Sequence, residues 1–155
     1  MTLSAWRIIK AKHAAEAFSG EGAKSAGGRW NGPGTAVVYT SDSASLAMLE
    51  ILVHFQSPEL LKRYVLFEVQ FDDSLVEAID GEVLPRTWRK YPPPLAVQRA
   101  GDIWVAGGSS AVLKVPSVIV PAGWNYLLNP AHADFAAIAI GSRQPTKFDP
   151  RLLRA

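Results

Sequence analysis

Cysteine is absent from this 155-residue chain, so it can hold neither a disulfide nor a thiolate metal site. Such a composition suits a reducing interior. No stretch approaches the roughly 20 apolar residues that a membrane span needs. The opening residues, MTLSAWRIIKAKH, lack the apolar core and cleavage pattern of a signal peptide. A cytoplasmic protein is the expectation. Dense positive charge is missing too. The formal net charge is +2, although the sequence pI is about 9.0, and tracking a phosphate backbone needs a concentrated Lys/Arg stripe. No direct nucleic-acid binding is therefore predicted. The densest basic cluster, Arg86, Arg89 and Lys90 with Trp88 and Tyr91 interleaved, reads as a solvated turn before Pro92-Pro93-Pro94, or as a small RNA-binding patch.

Several catalytic signatures are also lacking. There is no G-x-S-x-G, so a hydrolase nucleophile elbow is unsupported. Gly22-Ala23-Lys24-Ser25 echoes a phosphate loop, but the spacing of the preceding glycine fails. His13, His54 and His132 stand far apart without metal-ligand spacing. No metal centre is predicted, short of a carboxylate-bound magnesium.

What the chain does contain is ample core. Apolar residues make up 48% and charged residues 19%, enough for one domain over 1–155, with a tail from Pro145. Strands are predicted at 5–9, 35–40 and 63–71, the last from the alternation of Val65, Phe67, Val69 and Phe71. Segments 111–115 and 117–120 read as strand interrupted by Pro116, implying an edge or bulge, and 136–141 as a last strand. Helices are predicted over 11–18, over 44–55 (capped by Ser41 or Ser43, ended by Ser57-Pro58) and over 95–106, opened by Pro94 and stopped by Gly107-Gly108. A short irregular or strand-like piece covers 75–83. Six glycines from Gly20 to Gly34 mark a long loop. The order shows no regular βαβ alternation, which places the chain in the α+β class: a single compact domain of mixed or antiparallel sheet with helices.

The stretch from Gly27 to His54 carries the unusual chemistry. Arg29 follows two glycines and precedes Trp30 and Asn31. A guanidinium on such a loop suits bidentate binding of phosphate or carboxylate, or else packs on Trp30. Tyr39 ends the next strand and offers a flat ring face and a hydroxyl, or serves as a core tyrosine. Glu50 is the only acidic or basic residue within 44–53. That helix is apolar nearly all round, which predicts a central buried position. Leu46, Leu49, Glu50 and Val53 share one face, with Met48, Ile51, Leu52 and Phe55 opposite. An unpaired buried carboxylate costs several kcal/mol, so Glu50 must be paired with an arginine, protonated, or open to a wet cleft. His54, one turn on, is within reach of it.

With those residues in view, the chain resembles the RES-domain family, the toxin half of RES–Xre toxin–antitoxin pairs. The matching text is GGRWNGPG, then VVYTSDSASLAMLEILVH, then LKVPSVIVPAGWNYLLNPAHADF. The Arg, Glu and Ser of the family name fall on Arg29, Glu50 and Ser117, while Arg7 and Tyr39 match a first-strand arginine and a tyrosine before the helix. Gly32 departs from the family pattern, in which proline often follows the asparagine directly. The resemblance implies a fold similar to ADP-ribosyltransferase toxins, with NAD as substrate and no other cofactor. Its implied activity is degradation of NAD by hydrolysis or phosphorolysis, with ADP-ribosylation of a protein as the alternative and an RNA-acting toxin as a second. Glu50, Arg29 and Ser117 would then be catalytic, and Arg7, Tyr39, Trp30 and Asn31 would bind NAD. Ser117 would bond the nicotinamide amide, the ribose or Glu50, or else satisfy backbone beside Pro116. The implied partner is an Xre-type helix-turn-helix antitoxin, in a multi-subunit complex that allows a homodimer of this chain, with no membrane involved.

Overall fold

The computed structural model describes residues 1–55 and 62–152. Its centre is a pair of long antiparallel strands, β1 (Thr2–Lys10) and β3 (Tyr64–Asp72), in register from Thr2↔Asp72 to Lys10↔Tyr64. The predicted alternation holds: Val65, Phe67, Val69 and Phe71 are all buried. β2 (Val38–Ser41) lies on the other side of β1, followed by β6 (Trp124–Leu128), β5 (Val112–Pro116) and the short parallel β4 (Val76–Ala78). β7 (Ala139–Ile140) and β8 (Gln144–Thr146) both pair with the outer edge of β3. Among the described residues this makes one mixed eight-stranded sheet with helices α1 (Glu21–Ala26), α2 (Ala44–Leu52) and α3 (Leu95–Gly107). The class is α+β, as predicted. No described helix is long and apolar enough to cross a membrane.

Two apolar clusters position the site. Ile8, Ala47, Tyr64 and Phe148 pack with Met48, Ile51 and Leu52, holding the inner face of α2 against the sheet. Trp30, Val97, Trp104, Val115 and Leu127 hold α3 and the glycine loop against its other end. Each large side chain buried this way contributes roughly 1.5–3 kcal/mol.

Where the structure departs from sequence expectation, local chemistry explains it. Residues 11–16 form a 3₁₀ rather than an α-helix. Its buried pair, Ala14 and Ala17, sits three apart, which suits the three-residue turn. The glycine loop contains α1, flanked by Gly20 and Gly27, both at positive φ. Residues 117–120 are not a strand: their N–H groups turn back on Ser117, and Pro116 and Pro121 have none to offer a ladder. β6, five residues after Pro-Ala-Gly, had no expectation at all, yet it is internal to the sheet. The last strand shrinks to β7 behind a 3₁₀ turn at Ala133–Ala137, and the expected tail supplies β8. α2 is not centrally buried: it lies on the sheet by one face and leaves Leu49 and Val53 exposed. Ser43 is its cap, accepting from the Leu46 N–H. The expected stop at Ser57-Pro58 lies outside the described residues.

Candidate functional site

The antiparallel register sets one half of the site. Ser41 on β2 stands directly opposite Asn125 on β6, so both side chains project from the same face. β5 and β6 are joined by a hairpin loop that closes where the Ser117 N–H donates to the Gly123 carbonyl. This loop packs on α2 so closely that a Cβ on Gly123 would come within 2.9 Å of Leu46 Cδ2. Glu50 thereby faces the hairpin and the end of the sheet. Ser117 Oγ donates to Glu50 Oε1 at 2.6 Å, and Asn125 Nδ2 donates to the same oxygen at 2.8 Å. Asn125 Oδ1 in turn accepts from Ser41 Oγ at 2.8 Å.

Ser117 has little freedom in this arrangement. Its oxygen accepts the Ile119 and Val120 N–H groups, each at 3.1 Å, which fills both lone pairs. Its single hydrogen goes to Glu50. The hydroxyl is 1% exposed and is a donor to the carboxylate, not a poised nucleophile. Glu50 makes no arginine pair within 4.0 Å among the described residues; its partners are two neutral donors. Oε2 takes no hydrogen bond from the described residues, and none of their buried side-chain oxygens lacks a partner. Oε2 therefore opens to solvent. The carboxylate is thus neither paired with an arginine among the described residues nor sealed from solvent. His54 is exposed and lies beside Tyr91, with ring centroids 6.3 Å apart.

Arg29 is anchored on a different segment of the chain. Its Nη1 donates to the carbonyls of Trp88 and Lys90, at 2.8 and 2.9 Å. That fastens the Arg86–Tyr91 segment as a wall of the site, with Trp88 tilted against Trp30 and Arg89 stacked over Trp88. Partial burial lowers the Arg29 pKa, while the charge of Glu50, then Tyr39 and Tyr91, pulls it back up.

The glycine loop that carries Arg29 is clamped by α3. Gln98 Nε2 donates to the Gly28 carbonyl, and Asp102 Oδ1 accepts the Gly32 N–H. Between them Gly101 meets the loop backbone: a Cβ there would fall 1.6 Å from the Trp30 carbonyl oxygen. Residues 98, 101 and 102 share a helix face, and only glycine leaves room at its centre.

Four of the expected NAD contacts serve the architecture. Trp30 is 2% exposed and Asn31 fully buried. Asn31 Nδ2 donates to the Ala23, Gly32 and Thr35 carbonyls. Its Oδ1 accepts from Tyr39 Oη at 2.5 Å, and that hydroxyl accepts the Trp30 N–H. The Trp30 and Asn31 side chains, expected to contact a ligand, are buried and, for Asn31, bonded within the loop, whose shape they hold. Burial holds the Tyr39 phenol well above its ordinary pKa, opposed by the Trp30 N–H and reinforced by Asp102. Arg7 bonds the Ala17 and Tyr39 carbonyls, at 2.5 and 3.0 Å, and burial lowers its pKa to about 10. It remains a cation near neutrality, braced between the loop's start and its end.

The structure thus brings Glu50 and Ser117 into contact, anchors Arg29 on the Trp88 and Lys90 carbonyls, and ties Tyr39 and Arg7 to the glycine loop and its flanks. Sequence reasoning missed Asn125, Ser41, Gln98 and Asp102. A glycine inside the predicted helix, with polar residues three before and one after it, was the available signal for the α3 clamp.

A family model described as RES domain matches residues 4–149. Over 149 residues the chain is 40% identical to Toxin Res of Yersinia enterocolitica, covering 95% of this chain and 97% of that protein. It is also 40% identical over 160 residues to the Prs ADP-ribosylating toxin of a Sphingobium species, covering 99% of each. Among solved structures, a chain of the M. tuberculosis MbcT-MbcA toxin-antitoxin complex superposes with a TM-score of 0.77 at 21% identity, over 98% of this chain and 87% of that one.

Proposed function

This chain belongs to the RES domain family, and on that premise we propose that it is the toxin of a toxin–antitoxin pair and that it degrades NAD at the nicotinamide–ribose bond. The observation that carries this reading is the divided carboxylate of Glu50, with Oε1 held by two donors and Oε2 open. Breaking the C1′–N bond sends the electron pair to nicotinamide and leaves oxocarbenium-like charge on the ribose. A fixed anion beside that carbon stabilises the transition state more than the ground state. Water or phosphate then forms the new C1′–O bond, and the open oxygen of Glu50 is placed to orient it and take its proton. Arg29 has guanidinium hydrogens beyond those used on Trp88 and Lys90, suited to the NAD pyrophosphate. Tyr39 uses its hydroxyl within the loop and offers its ring to the nicotinamide, while Arg7 supports the loop's charge.

The test is product analysis of NAD incubated with purified protein, with and without phosphate. Free nicotinamide with ADP-ribose, or with its phosphorylated form, supports the reading, and intact NAD refutes it. The Sphingobium relative's designation as an ADP-ribosylating toxin favours a second reading, in which the same bond breaks and a protein side chain is the acceptor. Labelled NAD separates the two, since only transfer leaves label on protein. The partner proposed is an antitoxin of the Xre helix-turn-helix type, and exposed Leu49 and Val53, flanking Glu50 on α2, give it an apolar rim to cover.

A further inference from the structure

We propose that Asn125, fixed in turn by Ser41, is a positioning residue that aims the Glu50 carboxylate at the substrate. The proposal rests on the reading of Glu50 as the group that meets the cationic sugar. One hydrogen bond, from Ser117, would leave the carboxylate free to pivot about its last torsion. The second, from Asn125, comes from β6 instead of the hairpin loop and lands on the same oxygen. Two bonds from two directions fix the plane, and with it the direction of Oε2.

The Glu50 carboxylate only accepts, so it selects the amide NH₂ of Asn125, and the amide oxygen then turns to accept from Ser41 Oγ, which anchors the far end of the group. With Ser41 4% and Asn125 9% exposed, water competes poorly for either group. Neither neighbour of Oε1 can accept a proton: the oxygen lone pairs of Ser117 are taken by two N–H groups, and an amide nitrogen is no acceptor. A proton on Oε1 would therefore face two hydrogens with nowhere to go. The relay holds that oxygen as an acceptor and leaves the chemistry to the other.

Three variants test this. Asn125→Asp keeps the shape but replaces the donor with a second carboxylate. The rate of NAD consumption should fall about 10- to 100-fold near neutrality, the scale of one charge-assisted hydrogen bond. Because two carboxylates this close share a proton, the acid limb of the pH–rate profile should also move to higher pH by roughly a unit or more. An equal loss at every pH, or no loss, overturns the proposal. Ser41→Ala should lower kcat with little change in KM, and Ser41→Ala combined with Asn125→Ala should be no slower than Asn125→Ala alone. Additive losses would show that Ser41 does not act through Asn125. A crystal structure of Asn125→Ala gives a readout independent of activity: Glu50 should keep its bond to Ser117 and occupy more than one carboxylate orientation. A single unchanged orientation overturns the proposal. If wild-type protein leaves NAD intact, the functional reading fails by itself, and this structure still decides whether Asn125 positions Glu50.

Discussion

Ser117→Ala should destabilise the protein as well as impair it, and the size of the effect follows from what meets at one oxygen. Three hydrogen bonds converge on Ser117 Oγ: two accepted from Ile119 and Val120, one donated to Glu50. Ile119 and Val120 are only half-buried, so each N–H left without its acceptor costs about 1 kcal/mol, the low end of the range. The bond to Glu50 is charge-assisted and worth about 1.5 kcal/mol at its lower bound, because Asn125 still serves the same oxygen. Together these come to roughly 3.5 kcal/mol, or about 7–14 °C in Tm for a domain of this size. Thermal unfolding followed by circular dichroism, with urea titration to check that m is unchanged, measures it. Glu50→Gln is the control: its amide oxygen can still accept from Ser117 and Asn125, so Tm should hold within a few degrees while NAD consumption falls about 10²- to 10³-fold. A double-mutant cycle of Ser117→Ala with Glu50→Ala should give a coupling of about 1.5 kcal/mol or more. A Tm for Ser117→Ala within about 2 °C of wild type would refute the account of the hairpin.

Other perturbations reach different parts of the molecule. Arg29→Lys retains charge but cannot grip the Trp88 and Lys90 carbonyls while presenting a fork to a ligand; KM for NAD should rise about tenfold or more, a loss on the scale of one charge-assisted bond, and unchanged kinetics across NAD concentrations would count against phosphate binding there. Gly101→Ala forces a methyl into the Trp30 carbonyl, so the loop must leave α3; a loss of more than about 2 kcal/mol in urea unfolding is expected, and wild-type stability would mean the clamp is not as described. Tyr39 has a folded pKa raised by burial, so the stability it contributes is complete below its ordinary value near 10 and is lost as pH rises above it. Absorbance titration of the four tyrosines should therefore include a phase in which phenol ionises only as the protein unfolds, and the amplitude of that phase should drop by one phenol in Tyr39→Phe.

The features legible in the sequence are those written within a few residues of themselves. The alternation in β3, the Ser43 cap and the division of α2 into a packed face and a Glu50 face are all local patterns. Even so, an almost uniformly apolar helix pointed to full burial, because sequence cannot tell an outward apolar face from an inward one; Leu49 and Val53 settle that only in the structure. β6 left no signal because its residues follow a Pro-Ala-Gly turn and form too short a run to show a period. Asn125 was invisible for a different reason. Nothing about an asparagine beside a tryptophan announces that its partners are a serine 84 residues away and a glutamate 75 residues away. Trp30 and Asn31 adjoin Arg29 in sequence, and a loop that presents one side chain outward needs its neighbours turned inward to hold it.

Those long separations bear on how such a protein is made. The bonds at Glu50 span 67 and 75 residues, and β6, which supplies Asn125, is internal to the sheet. A ribosome that has finished the glycine loop and α2 has therefore produced Arg29 and Glu50 without anything to aim the carboxylate. Pairings this distant in sequence form late and slowly. On the proposed reading of Glu50 as the group that meets the sugar, a geometry completed only when β6 joins the sheet would delay a toxin's harm to the cell that translates it until most of the chain exists.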